Sequence, residues 1–267
     1  MDEQIAFLIE KYGKGEQRTA EWFATRSNRI TASECTKAFS TATFLQKKEL
    51  IESKLISKPQ GNSQPYACIW GTHFEPIAKQ LYQEEKNISV IQDLACVIHQ
   101  DYEFLGASPD GLILDGEMRG YLLELKCPIS RSFEEGSAIP NEYYHQMQMQ
   151  MECTKLDKCV YLETKFKHVS YSEWKDSDRK KGCYAERPGE IVYCQGNVEE
   201  WTSQLEDRLS WTVRYWILEK TRSCIIDKDP QWITDHILEF QQTWNEVLEH
   251  RKNGTLPQPK EKGILVL

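Results

Sequence analysis

Residues 105–128 read LGASPDGLILDGEMRGYLLELKCP, and this segment decides the fold predicted for the chain. Residues 103–106 are typical of a strand, residues 111–114 continue apolar, and residues 121–127 are typical of a second strand. Residues 115–120 contain two glycines and an aspartate and indicate a turn. Because strands joined by a short turn can pair with each other, the segment predicts a hairpin.

Three charged residues are expected at the open end of this hairpin. Glu124 and Lys126 are two residues apart and therefore point to the same face of the second strand. If Asp110 lies at the mouth of the facing strand, its carboxylate joins them. Two carboxylates a few ångströms apart repel each other unless a cation lies between them. The arrangement therefore favours a bound cation.

These residues predict a metal site that cleaves phosphodiesters. Carboxylate and carbonyl oxygens suit Mg²⁺ or Mn²⁺, and the backbone carbonyl of Leu125 can add a ligand to Asp110 and Glu124. Lys126 can then orient or deprotonate a metal-bound water, or stabilise the charge that grows on a phosphate. The alternative is a surface hairpin with an Asp turn and a cross-strand Glu–Lys pair, because short charged motifs also match by chance.

The same residues resemble a known nuclease signature. Asp110, Glu124 and Lys126 match the PD-(D/E)xK pattern, and SPDGL followed by LELKCP is similar to the phage lambda exonuclease and YqaJ-type viral recombination nucleases over residues 22–166. The resemblance implies an α/β fold of the restriction-endonuclease-like type, with a mixed central sheet flanked by helices and extra C-terminal helices. It also implies Mg²⁺-dependent 5′→3′ exonuclease action on linear double-stranded DNA, with Mn²⁺ as a substitute.

An anion pocket is predicted at the segment RSNRITAS, which begins at Arg26. Thr31 and Glu34 fit a capping box, so a helix is expected to start here, and a helix N-terminus favours an anion. Without the resemblance, the segment fits an ordinary capped surface helix with arginines nearby. The resemblance implies that Arg26 and Ser33, together with Ser108, hold the terminal 5′-phosphate of the DNA.

Two more residues are assigned to the active site by the resemblance. Residues 70–86 predict a helix, and Glu75 beside its buried stripe would be a third acidic residue at the metal, either as a ligand or through water. The alternative is an acid that stabilises the helix N-terminus. Residues 141–154 predict another helix, and similarity to the family's AQVQ segment places Gln146 at the substrate phosphate or the attacking water. His145 stands where that segment has Ala.

The rest of the chain predicts supporting elements. Helices are expected over residues 2–12, 31–39, 43–57, 198–219 and 230–253, a core strand over 158–166, a strand pair over 88–99, and loops over 58–67 and 256–267. The last loop ends in GILVL, which can dock as an edge strand. We expect a single domain covering residues 1–267, with a core at about 20–170 and a C-terminal helical extension at about 197–254.

Composition limits the class of protein. The net charge of −8 argues against a protein that coats duplex DNA by bulk electrostatics, although it leaves room for local basic clusters. One such stretch, residues 165–181, mixes basic and aromatic residues and can either hold DNA or form a solvated loop. Nine cysteines without a CxxC motif argue against a disulfide scaffold and against a zinc or iron–sulfur site. Free thiols in a reducing, intracellular compartment are expected, with no membrane partner.

The expected partners follow from the resemblance. Family members of the lambda type are ring-shaped trimers that act on double-stranded DNA ends in viral or phage-type recombination, so a homo-oligomer and a single-strand annealing protein as partner are both expected. Two alternatives stay open. One is an endonuclease of the same fold, such as a resolvase or restriction enzyme, and the other is a non-catalytic protein that binds DNA ends.

Overall fold

The computed structural model describes residues 1–56, 65–134 and 136–259. Its helices are α1 (Asp2–Tyr12), α2 (Ala20–Ser27), α3 (Phe44–Leu55), α4 (Tyr66–Lys86), α5 (Asn141–Thr154), α6 (Tyr171–Asp176), α7 (Val198–Ser203) and α8 (Trp232–Asn253), with 3₁₀ helices η1 (Ala32–Ala38) and η2 (Arg208–Ser210). Its strands are β1 (Ile30–Thr31), β2 (Ile91–Gln92), β3 (Val97–Ile98), β4 (Leu105–Ala107), β5 (Gly111–Ile113), β6 (Leu122–Lys126), β7 (Lys158–Val169), β8 (Lys181–Arg187), β9 (Glu190–Tyr193) and β10 (Thr212–Asp227).

The strands form two sheets of mixed direction. The larger has the order β2-β5-β6-β7-β10-β8-β9, and the smaller has the order β1-β4-β3. In the larger sheet β6 is parallel to β7, whereas the pairs β5–β6 and β7–β10 are antiparallel. In the smaller sheet β1 is parallel to β4. A mixed sheet flanked by helices confirms the predicted α/β fold class.

The predicted hairpin forms between β5 and β6, where Gly111 lies opposite Leu123. Residues 103–106 do not extend it, because β4 joins the smaller sheet instead. The chain therefore crosses from one sheet to the other between Ala107 and Gly111. This crossing segment carries Ser108 and Asp110, and its position determines the geometry of the site described below.

Side chains of β6 alternate between two apolar clusters. Leu122 packs in the cluster that includes the methionines of α5 and the buried residues of α1, α3 and α8, whereas Leu123 and Leu125 pack with Phe74 of α4. Because both faces of the strand are covered, its apolar residues are nearly continuous. Glu124 has the same parity as Leu122 and is therefore directed towards the α5 side.

Most of the predicted helices are confirmed, and the one expected over residues 198–219 is wrong beyond Ser203. Residues 212–227 form β10, which pairs with β7 over residues 215–227 and with β8 over residues 212–217. Apolar residues recur at helical spacing from Trp201 to Trp216, but TVRYWI is rich in β-branched and aromatic residues that fit a half-buried sheet. Pairing with two neighbouring strands therefore decides its conformation.

Other boundaries also differ from expectation. The strand pair predicted over residues 88–99 is wrong, because β2 pairs with β5 in one sheet and β3 with β4 in the other. Of the loop expected over 58–67, residues 58–64 lie outside the described residues, and Tyr66 already belongs to α4. The expected docking of the GILVL tail also falls outside the described residues.

The basic stretch, residues 165–181, is partly ordered into secondary structure, because it contains the end of β7 and the helix α6. Tyr171 and Trp174 of α6 stack on each other with ring centroids 5.8 Å apart, and both contact Tyr215 of β10. In the part of the chain that is described, none of the helices combines the length and the apolar character required to cross a membrane.

Candidate active site

Two acidic side chains meet where β5 and β6 begin to pair. Asp110 accepts a hydrogen bond at Oδ2 from the amide of Leu125 (2.7 Å), and its own amide donates to the carbonyl of Leu123 (3.0 Å). Glu124, on the facing strand, is only 1% exposed. Burial raises the pKa of Asp110 well above its ordinary value, and the nearby carboxylates of Glu124 and Glu75 raise it further. The site therefore concentrates negative charge in a desolvated place.

The ammonium group of Lys126 lies among these acids. Its Nζ donates to Oε1 of Glu124 and, at 3.2 Å, to Oε1 of Gln146, and it lies 4.5 Å from the ring centroid of Tyr143. Burial lowers the pKa of Lys126, but the carboxylates of Glu124 and Asp110 outweigh that effect and the net shift is upwards. The side chain is thus held as a cation at the edge of the acidic site.

Helix α5 supplies two glutamines to the site. Gln146 contacts Lys126 as described, and Gln150 donates at 2.6 Å to Oε2 of Glu124. The two are four residues apart and therefore share one helix face. Gln150 is completely buried, and its contact holds one oxygen of Glu124 while Lys126 holds the other. Sequence reasoning gave no role to Gln150, although the i, i+4 spacing from Gln146 was the available signal.

Glu75 lies in the middle of α4 rather than at its N-terminus, because the helix begins at Tyr66. Its Oε2 accepts a hydrogen bond from Nη2 of Arg18 at 2.7 Å. Arg18 has φ +66°, a left-handed conformation that side-chain-bearing residues seldom adopt. The sequence contained no signal for this pair, since the two residues are 57 positions apart.

The donor set fits a hard divalent cation. The amide of Leu125 faces Asp110, and the N–H and C=O of one strand residue point to the same side, so the carbonyl of Leu125 also faces Asp110. A cation here would relieve the repulsion at Asp110. No three His, Cys, Asp or Glu side chains in the described ranges form a ready-made metal cluster. In this structure Arg18 contacts Glu75, and Lys126 and Gln150 contact the two oxygens of Glu124.

The predicted phosphate-binding residues also come together. Arg26 donates from Nη2 to Oγ of Ser33 (3.0 Å) and from Nη1 to Oγ of Ser108 (3.5 Å). Trp22, which the sequence did not single out, donates from Nε1 to Oγ of Ser108 (3.0 Å) and stacks on the Arg26 guanidinium at 4.3 Å. Burial lowers the pKa of Arg26, while Glu34 counteracts this. We call this group, Trp22, Arg26, Ser33 and Ser108, the arginine–serine pocket.

The arginine–serine pocket and the acidic site are neighbours along the chain. Ser108 belongs to the first and Asp110 to the second, and both lie on the segment that crosses from β4 to β5. Gln17 also ties this segment down, because its Nε2 donates to the carbonyl of Pro109 at 3.1 Å and to that of Leu94 at 2.9 Å. The segment that joins the arginine–serine pocket to Asp110 is therefore held by a hydrogen bond from Gln17.

Comparison with known proteins shows which family model and which relatives the chain resembles. Residues 21–157 match the family model of the YqaJ-like viral recombinase domain. The chain is similar to uncharacterized protein R354 of Acanthamoeba polyphaga mimivirus, with 22% identity over 310 residues that cover 92% of this chain and 55% of that protein. The chain therefore spans about half the length of this curated relative.

Solved structures show the same fold. Two structures of an alkaline exonuclease from Laribacter hongkongensis, one of them in complex with dAMP, superimpose on the chain with a TM-score of 0.55 and 22% identity. Each match covers 88% of this chain and 95% of the exonuclease chain.

Proposed function

The chain belongs to the YqaJ-like viral recombinase domain family, and from that premise we propose that it is a metal-dependent nuclease that degrades linear double-stranded DNA in the 5′→3′ direction. One observation carries the proposal. The crossing segment brings an arginine–serine pocket, through Ser108, next to a buried acidic site, through Asp110. The first is suited to a terminal phosphate and the second to cleavage of a neighbouring phosphodiester.

The acidic site supplies the groups for hydrolysis. Asp110, Glu124 and the Leu125 carbonyl would hold Mg²⁺ or Mn²⁺, with Glu75 as a ligand directly or through water. The ion, when bound, polarises a phosphate and makes a bound water a better nucleophile. The Lys126 ammonium lies at hydrogen-bonding distance from Gln146, so it can stabilise negative charge on a phosphate while Gln146 orients the substrate.

The arginine–serine pocket supplies the preference for an end. Within the described residues, the Arg26 guanidinium hydrogen-bonds to two hydroxyl groups and to no carboxylate, so its positive charge is available to an incoming anion. A terminal phosphate carries more negative charge than an internal phosphodiester and gains more from this contact. Cleavage that starts at a 5′-phosphorylated end follows from that difference.

The proposed setting is viral or phage-type recombination inside a host cell. The family description names a viral recombinase, and the chain is similar to a mimivirus protein. In this role the nuclease would act on DNA ends as a homo-oligomer, with a ring trimer as the proposed form. A single-strand annealing protein would take up the strand that digestion leaves behind.

The first test compares two linear duplexes that differ only in a 5′-phosphate or a 5′-hydroxyl. We expect the wild-type protein with Mg²⁺ to digest the phosphorylated duplex at least about ten-fold faster, because a charge-assisted contact to the phosphate is present in one case only. Replacement of Arg26 by Gln should remove most of this preference. Initial rates of nucleotide release measure it.

Arg119→Gln is the matched control, since Arg119 pairs with Asp2 on the surface and should not affect the preference. Equal rates on the two duplexes would contradict the proposed polarity. Digestion of closed circular DNA would instead favour an endonuclease of the same fold.

A second test detects the metal without relying on activity. A ligand that binds only the native state stabilises it, by roughly 2.7 kcal/mol at one hundred times its Kd, so Mg²⁺ should raise the Tm of the wild-type protein. Asp110→Asn keeps an acceptor for the Leu125 amide but loses the negative charge. We therefore expect that Mg²⁺ does not raise the Tm of this variant. Asp93→Asn is the control, because Asp93 pairs with Lys79 at the surface, and Mg²⁺ should raise its Tm as in the wild type. An equal rise in Tm for Asp110→Asn would mean that Mg²⁺ binds elsewhere.

A further inference from the structure

A negative charge lies beside the arginine–serine pocket and works against its proposed role. Glu34 directly follows Ser33, and its Oε1 accepts hydrogen bonds from the amide of Thr31 (3.0 Å) and from the Thr31 hydroxyl (2.9 Å). The contact from the Thr31 amide is part of the capping box that starts η1, the short helix that carries Ser33. The residue that fixes Ser33 in place therefore also brings a carboxylate next to a site for an anion.

A buried lysine compensates this charge. Lys54 extends from α3, its side chain is only 5% exposed, and its Nζ donates to Oε1 of Glu34. The same Nζ donates to the backbone carbonyl of Arg26 at 3.3 Å. Burial lowers the pKa of Lys54, and Glu34 counteracts this. Burial of an ammonium group costs free energy, so we expect the buried Lys54 to have a specific role beside the arginine–serine pocket.

The position of Lys54 is fixed from a third element. Arg251, in the last turn of α8, donates from Nη2 to the carbonyl of Lys54 (2.9 Å) and to that of Ser27 (3.0 Å). Helices α2, α3 and α8 are therefore joined at this point. The lysine can thus remain beside Glu34 while other parts of the pocket bind and release a ligand.

We propose that Lys54 is a positioning residue for the terminal 5′-phosphate of the DNA, and that it acts by cancelling the charge of Glu34. Arg26, Lys54 and Glu34 together carry two positive charges and one negative charge, so their net charge is +1. Without Lys54 the net charge is zero, because Glu34 offsets the charge of Arg26. This inference rests on the proposed 5′-phosphate pocket.

The charge balance makes opposite predictions for two variants. Lys54→Met keeps the apolar stem but lowers the net charge to zero, so it should weaken the preference for a 5′-phosphate about ten-fold, as expected for one unit charge at a partly buried site. Glu34→Gln keeps the capping box, which accepts Gln as well as Glu, and raises the net charge to +2. It should strengthen the preference beyond that of the wild type.

The experiment measures binding of 5′-phosphorylated and 5′-hydroxyl duplexes by fluorescence anisotropy in EDTA, so that no DNA is cut. The quantity of interest is the ratio of the two Kd values. The double variant Glu34→Gln/Lys54→Met restores a net charge of +1 and should restore most of the wild-type ratio, even if Lys54→Met alone folds poorly. Lys47→Met is the matched control, because Lys47 lies on the same helix and pairs with Glu246 at 2.8 Å.

The outcomes separate this inference from the proposed function. If the wild type discriminates between the duplexes and Glu34→Gln does not exceed it, or the double variant does not recover the ratio, the role of Lys54 is overturned while the pocket stands. If the wild type does not discriminate at all, the proposed pocket fails and the role of Lys54 fails with it. A purely structural ion pair would leave the ratio unchanged in every folded variant.

Discussion

Replacement of Lys126 by Met should lower the rate of DNA hydrolysis by about 10³-fold, the loss typical of removing one group that stabilises transition-state charge. The Lys126 ammonium contacts Glu124 and Gln146, and Met retains most of its buried stem. The packing around this stem should therefore persist. Single-turnover digestion of a linear 5′-phosphorylated duplex with Mg²⁺ measures the effect on chemistry separately from product release.

Two comparisons make this prediction specific. Lys158→Met removes a half-exposed lysine that pairs with Asp227, and it should digest DNA at the wild-type rate. Lys126→Met should still show a Mg²⁺-dependent rise in Tm, because the proposed metal ligands are intact. Digestion by Lys126→Met within ten-fold of the wild-type rate would remove Lys126 from the mechanism. A folded wild type that binds DNA ends but digests nothing would support the non-catalytic alternative.

The second large predicted effect is a loss of stability when Arg222 of β10 is replaced. Glu163 of β7 is completely buried, and Arg222 donates to its Oε2 from Nε at 2.8 Å. Arg222 also donates from Nη1 to the carbonyl of Ser137 at 2.6 Å, which ties the segment after β6 to the sheet. Arg222→Met should lower the free energy of unfolding by about 3–5 kcal/mol, because it leaves a buried carboxylate with one cation fewer.

The control for this prediction lies on the same strand. Arg214 pairs with Glu186 at 2.7 Å, but both side chains are partly exposed, at 46% and 26%. A surface pair of this kind contributes about 0–1 kcal/mol, so Arg214→Met should change stability little. Urea unfolding of the three proteins provides the comparison. Equal stability of the two variants would show that Arg131, the other cation beside Glu163, compensates fully.

The hairpin and its charged residues were predictable because their causes are local. Side-chain alternation in LLELK places Glu124 and Lys126 on one face wherever the strand lies, and the turn before it favours pairing with β5. Helix α5 was predictable for a similar reason. Met and Gln favour helix strongly enough to outweigh the strand-like alternation in QMQMQM. The helix puts Gln146 and Gln150 on one face, but the role predicted for Gln146 came from the resemblance, and Gln150 had no predicted role.

The C-terminal part was not predictable in the same way. The helical spacing of Trp201, Leu205, Leu209 and Trp216 predicts one helix over residues 198–219, yet residues 212–227 form β10 between β7 and β8. A helix forms from contacts within one segment, whereas a strand depends on partners elsewhere in the chain. The two strands that pair with β10 begin more than 25 residues earlier in the sequence, so a local sequence pattern cannot predict this pairing.

The amino-acid sequence by itself determined the α/β class, the hairpin and the identity of the acids, lysine, arginine and serines proposed for the site. Only the tertiary structure decided which distant side chains contact the charged residues. Arg18 meets Glu75 across 57 residues, Gln150 meets Glu124 across 26, and Lys54 meets Glu34 across 20. Motif residues follow local periodicity, whereas their polar partners only need to lie at the same point in space, and any distant part of the chain can supply them.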